Sequence, residues 1–73
     1  MEANKNVTRN YYFPKNEIGR QILNRVINQV GGSVDGIFFT RDGEGKELMN
    51  VTFSCNKMDV TSVEKILRFY DLL

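Results

Sequence analysis

Residues 16–37 read NEIGRQILNRVINQVGGSVDGI, and this stretch decides the fold. Ile18, Ile22, Leu23, Val26, Ile27 and Val30 recur at steps of four, one, three, one and three, which lays one apolar stripe along a 3.6-residue helix. Arg20, Asn24, Arg25 and Asn28 fall away from that stripe. Asn16 is placed to cap the helix, because its side-chain oxygen can accept from the free N–H groups of the first turn, and Pro14 discourages an earlier start. At the far end Gly31 and Gly32 supply the left-handed conformation that closes a helix. So short a chain needs this stripe inside, so it is read as core and not as a face for a partner helix.

On the N-terminal side, residues 1–5 are polar and expected to be disordered. Residues 6–13, NVTRNYYF, are β-branched and aromatic and read as a strand that Pro14 breaks. Its inward face is open from sequence, since Val7, Tyr11 and Phe13 share one parity and Tyr12 takes the other. On the C-terminal side, residues 33–41, SVDGIFFTR, read as a second strand, with Gly36 as a bulge or point of close approach that lets Val34 and Ile37 share a face. Residues 41–46, RDGEGK, carry Asp-Gly followed by another glycine and form a hairpin turn. Residues 47–56 then alternate cleanly: Met49, Val51, Phe53 and Cys55 point one way, and Leu48, Asn50, Thr52 and Ser54 the other. One buried and one polar face is the pattern of an antiparallel strand covered on one side. A second helix starts near Asp59 or Thr61, where Thr61-Ser62-Val63-Glu64 has capping-box spacing. Its stripe is Val63, Ile66, Leu67 and Tyr70, with Glu64 and Arg68 paired on the wet side.

The expected architecture is therefore one α+β domain over residues 1–73, a βαββα sandwich whose antiparallel sheet carries two helices on one face. Ten Lys and Arg against nine Asp and Glu leave a formal charge of +1, far from the basic balance of a nucleic-acid binder. A single cysteine and no histidine exclude an internal disulfide and the common zinc clusters. No apolar run approaches the roughly 18 residues of a membrane span, and no secretory leader is visible, so a cytoplasmic location is expected. No catalytic group and no cofactor or metal set announces itself. Gly43-Glu44-Gly45-Lys46 lacks the upstream glycine and the following Ser or Thr of a phosphate loop. Cys55 lies on the apolar parity of its strand with no base to activate it, and reads as a buried structural thiol.

The stretch from residue 16 to residue 55 resembles an ACT domain, the small-molecule-sensing module of amino-acid metabolism. Gly19 matches its turn glycine, Ile22, Leu23, Val26 and Ile27 its helix aliphatics, Gly32 its later glycine, and Val34 with Ile37 its paired strand residues. Asn16 stands where the family often has Asp, and Ile18 where it often has Pro. The family's closing strand is absent after the second helix. The resemblance is nearest to free-standing small regulatory subunits such as that of acetohydroxyacid synthase. It implies a ferredoxin-like fold and a non-catalytic regulatory module that binds a small metabolite, an amino acid in this family, and modulates a partner enzyme. It also implies a ligand site between two copies, formed by Asn16, Glu17, Ile18 and Gly19 at the first turn with Val34 and Asp35 across the interface. The alternative is a small interaction or inhibitor protein, of the kind phages encode, that binds a larger protein through its sheet face or edge. A homodimer or a protein partner is expected on either reading, with no membrane or nucleic acid.

Overall fold

A computed structural model describes residues 5–73; the expectation of disorder at the N-terminus falls almost wholly outside them. Strand β1 (Asn6–Pro14) leads into helix α1 (Glu17–Val30), strands β2 (Ser33–Arg41) and β3 (Glu47–Asn56) form a hairpin, and a 3-10 turn (Lys57–Asp59) runs into helix α2 (Val60–Phe69). The three strands form one antiparallel sheet in the order β1-β3-β2. The fold is thus α+β, with β3 in the middle because it alone carries four consecutive inward apolar positions.

Those positions organise the core. Met49, Val51, Phe53 and Cys55 of β3 pack with Tyr11 and Phe13 of β1, Ile22, Leu23 and Val26 of α1, and Val63 and Leu67 of α2. Both helices therefore cover the same face of the sheet. The register settles the parity that sequence leaves open: Tyr11 lies opposite Val51 and Phe13 opposite Met49 on the covered face, and Tyr12 lies opposite Asn50 on the other. β2 contributes no fully buried side chain. Val34 packs against the core edge, but Ile37 is 43% exposed and Phe39 64%.

Local signals behave as expected at the start of α1. Asn16 Oδ1 accepts from the Gly19 N–H at 2.8 Å, and Gly31, at φ 65°, closes the helix by donating to Ile27 O at 2.8 Å. Several expectations need correction. Ile18 is 63% exposed, because it sits in the first turn beyond the reach of the sheet. Gly32 does not adopt the left-handed region; it is small because a Cβ there would lie 2.4 Å from the Phe53 ring. β1 runs one residue further, to Pro14, which lies opposite Leu48. The strand-two irregularity is a bulge between Val34 and Gly36, so the extra residue is Asp35.

The hairpin loop is wider than a two-residue turn. Gly45 alone takes positive φ there, at 83°, and Asp42 Oδ1 accepts from both the Glu44 and Lys46 N–H groups at 2.9 Å. At α2 the expected capping box does not form: the helix begins at Val60, so Thr61 is already inside it. Asp59 stands at the N-cap of α2 without a side-chain capping bond, and the side-chain cap belongs to the preceding 3-10 turn, where Asn56 Oδ1 accepts from the Met58 N–H at 2.9 Å. Glu64, released from the box, receives the Tyr11 hydroxyl at 3.4 Å and reaches Arg68 at 4.0 Å from a half-buried position. No helix among the described residues is long and apolar enough to cross a membrane.

Candidate binding surface

The face of the sheet turned away from the helices follows directly from the register. Tyr12, Asn50 and Phe38 lie side by side across β1, β3 and β2, and the next row holds Pro14, Leu48 and Thr40. Tyr12 is 50% exposed and Phe38 66%, while Leu48 is half-buried beside them. The two rows make an apolar patch with an amide at its centre. Asn50 Oδ1 is buried and has no hydrogen-bond partner, a condition that costs about 1–3 kcal/mol for a buried polar group.

The other end of this face is a polar ladder. Thr52 donates to Asn10 Oδ1 at 2.8 Å. Ser54 donates to the Asp35 carboxylate and shares a 2.9 Å hydrogen bond with Thr8. The Asp35 bulge thus turns a carboxylate onto the open face, and the side chains of these rows include no Lys or Arg. An aromatic patch beside a hydroxyl-rich, mildly acidic field suits a protein surface and repels a phosphate backbone.

The residues that the resemblance implies lie in two groups. Asn16, Glu17, Ile18 and Gly19 come together at the start of α1, with Glu17 and Ile18 exposed and Glu17 3.8 Å from Arg20. Gly19 is buried, and a Cβ on it would lie 1.8 Å from the Pro14 carbonyl oxygen. Its small size is required by the contact of helix with strand. Val34 and Asp35 sit together at the bulge, beside Phe53, whereas the α1 start adjoins Pro14, beside Leu48. Five strand positions, about 17 Å at ~3.3 Å per residue, separate the two groups within one chain.

Two clefts of about 340 Å³ each lie elsewhere. One, between α1 and α2, is lined by Arg25, Gln29, Lys65, Ile66, Phe69 and Tyr70, and Arg25 donates to the Tyr70 hydroxyl at 2.6 Å beside it. The other runs between α1 and β2, lined by Arg20, Leu23, Asn24, Ile37, Phe39 and Met49. Lys15 Nζ stands 4.4 Å from the Phe39 ring centroid and 3.4 Å from Glu47.

Reactive groups are muted. Cys55 is buried, and burial pushes its thiol upward, with the Asp59 carboxylate adding to the effect and Arg9 opposing it. Its nucleophilic thiolate is therefore scarce. Tyr11 is pushed up to about 12, first by burial and then by the Glu64 carboxylate that accepts the hydrogen bond of its hydroxyl. The loop amides of Glu44 and Lys46 already bond the Asp42 side chain, so the Gly-Glu-Gly-Lys turn has those donors spent internally. Among the described residues no group of three or more His, Cys, Asp or Glu could hold a metal ion.

Sequence reasoning placed Leu48, Asn50, Thr52 and Ser54 on the outer face but did not add Tyr12 and Phe38 to them. The off-parity position of Tyr12 in β1 was the available signal. No protein-family model matches the chain, and no curated protein or solved structure matches it.

Proposed function

We propose that this chain is a non-catalytic binding module of ferredoxin-like, ACT-like layout that docks a larger protein onto the open face of its sheet. The row Tyr12, Asn50, Phe38 carries the reading: two exposed aromatic rings flank an amide whose oxygen has no partner. A docking partner with an apolar pocket and a hydrogen-bond donor would cover the rings and relieve the amide. Exposed aromatics at the centre of a patch with a polar rim are the usual anchors of such surfaces. The absence of cations from the face favours protein over RNA, and the protonated, enclosed Cys55 supports a role without chemistry.

The metabolite-sensing reading keeps one observation in its favour. The order β1-α1-β2-β3-α2 and the strand order β1-β3-β2 are compatible with the ferredoxin-like layout that reading requires. Against it, the Asn16 side chain already serves the Gly19 N–H.

Two measurements separate the readings. A stoichiometric protein that co-purifies from native lysate without added small molecule supports docking. A thermal-shift scan against the twenty amino acids tests the alternative, since a ligand at a hundred times its Kd adds about 2.7 kcal/mol to the folded state. A clear amino-acid responder without a protein partner would overturn the docking reading.

A further inference from the structure

Lys65, Ile66 and Phe69 fall on one face of α2, at steps of one and three, and with Arg25 of α1 and Tyr70 they line the cleft of about 340 Å³ between the two helices. A hollow of that size suits a small ligand. One part of its wall is apolar. Ile66 is half-buried against the core, whereas Phe69 is 76% exposed, the most exposed large apolar side chain among the described residues. Its ring stands perpendicular to that of Tyr70, with centroids 5.0 Å apart, so it is held in place without being covered. The other part is cationic. Of the cations on the two helices, Arg20 has Glu17 at 3.8 Å and Arg68 has Glu64 at 4.0 Å. Arg25 and Lys65 have no carboxylate partner among the described residues, and both line the cleft, which no acidic residue lines. Arg25 is also preset: it donates to the Tyr70 hydroxyl at 2.6 Å and stands 5.8 Å from that ring centroid. One N–H is used there and the guanidinium has others to offer, while the Tyr70 hydroxyl keeps its own proton to donate.

We propose that the cleft between α1 and α2 binds a small planar aromatic carboxylate. The carboxylate lies between Arg25 and Lys65, where a planar guanidinium matches its two oxygens, and the aromatic body lies against Phe69 and Ile66. Two unmatched cations suit a single carboxylate. A polyanion such as a nucleic acid needs a longer row of cations, and the neighbouring Arg20 and Arg68 are already matched. The lining has no acid to receive an ammonium group, so the ligand is an acid without an amine. That separates this cleft from the amino-acid site which the resemblance implies at Asn16 to Gly19, Val34 and Asp35. It lies on the helix side of the sheet, away from Tyr12 and Phe38, so the proposal goes beyond the docking reading and stands without it.

Titration of the isotope-labelled chain with naphthoate, followed by amide chemical shifts, tests the site. The expected result is a saturable set of shifts centred on Arg25, Lys65, Phe69 and Tyr70, with a Kd on the order of 1 mM for so small and exposed a ligand. Naphthylmethanol, which keeps the ring and lacks the charge, and phenylalanine, which adds an ammonium, should each bind about tenfold more weakly or less. Arg25→Gln and Lys65→Gln should each weaken naphthoate about tenfold, and Phe69→Ala should weaken it as well. Lys46→Gln, in the hairpin loop, should leave it unchanged. All variants should keep the dispersed amide spectrum of wild type. The absence of any saturable shift through the millimolar range overturns the proposal. So do equal binding of naphthylmethanol, unchanged binding by Arg25→Gln and Lys65→Gln, or shifts centred on Tyr12 and Phe38. None of these variants touches Tyr12, on which the docking reading turns, so the two proposals fail separately.

Discussion

Gly19 shows how one residue's chemistry is set by a contact invisible along the chain. Alanine has the higher helix propensity by about 1 kcal/mol, and at an open helical position the change would stabilise. Here the added Cβ would lie 1.8 Å from the Pro14 carbonyl oxygen, a backbone atom that moves only with its strand. Gly19→Ala is therefore expected to destabilise by about 1–3 kcal/mol, measured as a lower urea midpoint with unchanged slope. Tyr11 gives a pH signature. Its phenol is held protonated up to about 12 by burial and by Glu64, above the ordinary value of 10.0, so the folded state keeps a proton that the unfolded state releases. Its contribution is complete below pH 10 and is lost as the pH rises from about 10 to about 12. Tyr11→Phe should flatten the fall in stability across that window in pH-dependent denaturation. At this scale the caps Asn16 and Gly31 were legible, because capping depends on the nearest few residues. The roles of Gly19, Gly32 and Tyr11 were not, because each depends on a residue distant in the sequence or on another strand.

Elements were legible wherever periodicity was strong. The alternation of β3 fixed its buried side, and the stripe from Ile22 to Val30 fixed that of α1. The start of α2 near Asp59 is legible, but the capping box read in Thr61-Ser62-Val63-Glu64 does not form, because the helix already begins at Val60 behind a 3-10 turn. Asn56→Ala should therefore cost about 0.5–2 kcal/mol, while Thr61→Ala should stay within about 0.5 kcal/mol of wild type; thermal melts of the two variants check the ranking. The bulge at Asp35 was anticipated from Gly36, one position away, since a glycine marks the irregularity without saying which neighbour is extruded.

For the whole molecule, the two helices cover one face of β1 and β3, leave most of β2 beyond Val34 exposed, and leave the other face of the sheet without a covering element. That division explains why the candidate surface was only half legible. The outer parity of β3 is local information, whereas the row Tyr12, Asn50, Phe38 exists only once three strands are in register. The most direct test of the docking reading replaces Tyr12 with Lys on the open face and, as a control, Lys65 with Glu on the helix face. Tagged wild type, Tyr12→Lys and Lys65→Glu are then compared for the protein each retains from native lysate. The expected result is a stoichiometric partner held by wild type and Lys65→Glu and lost from Tyr12→Lys, with all three giving the same far-UV spectrum. Retention of the partner by a folded Tyr12→Lys, or its loss from Lys65→Glu alone, would contradict the assignment of the open sheet face as the working surface.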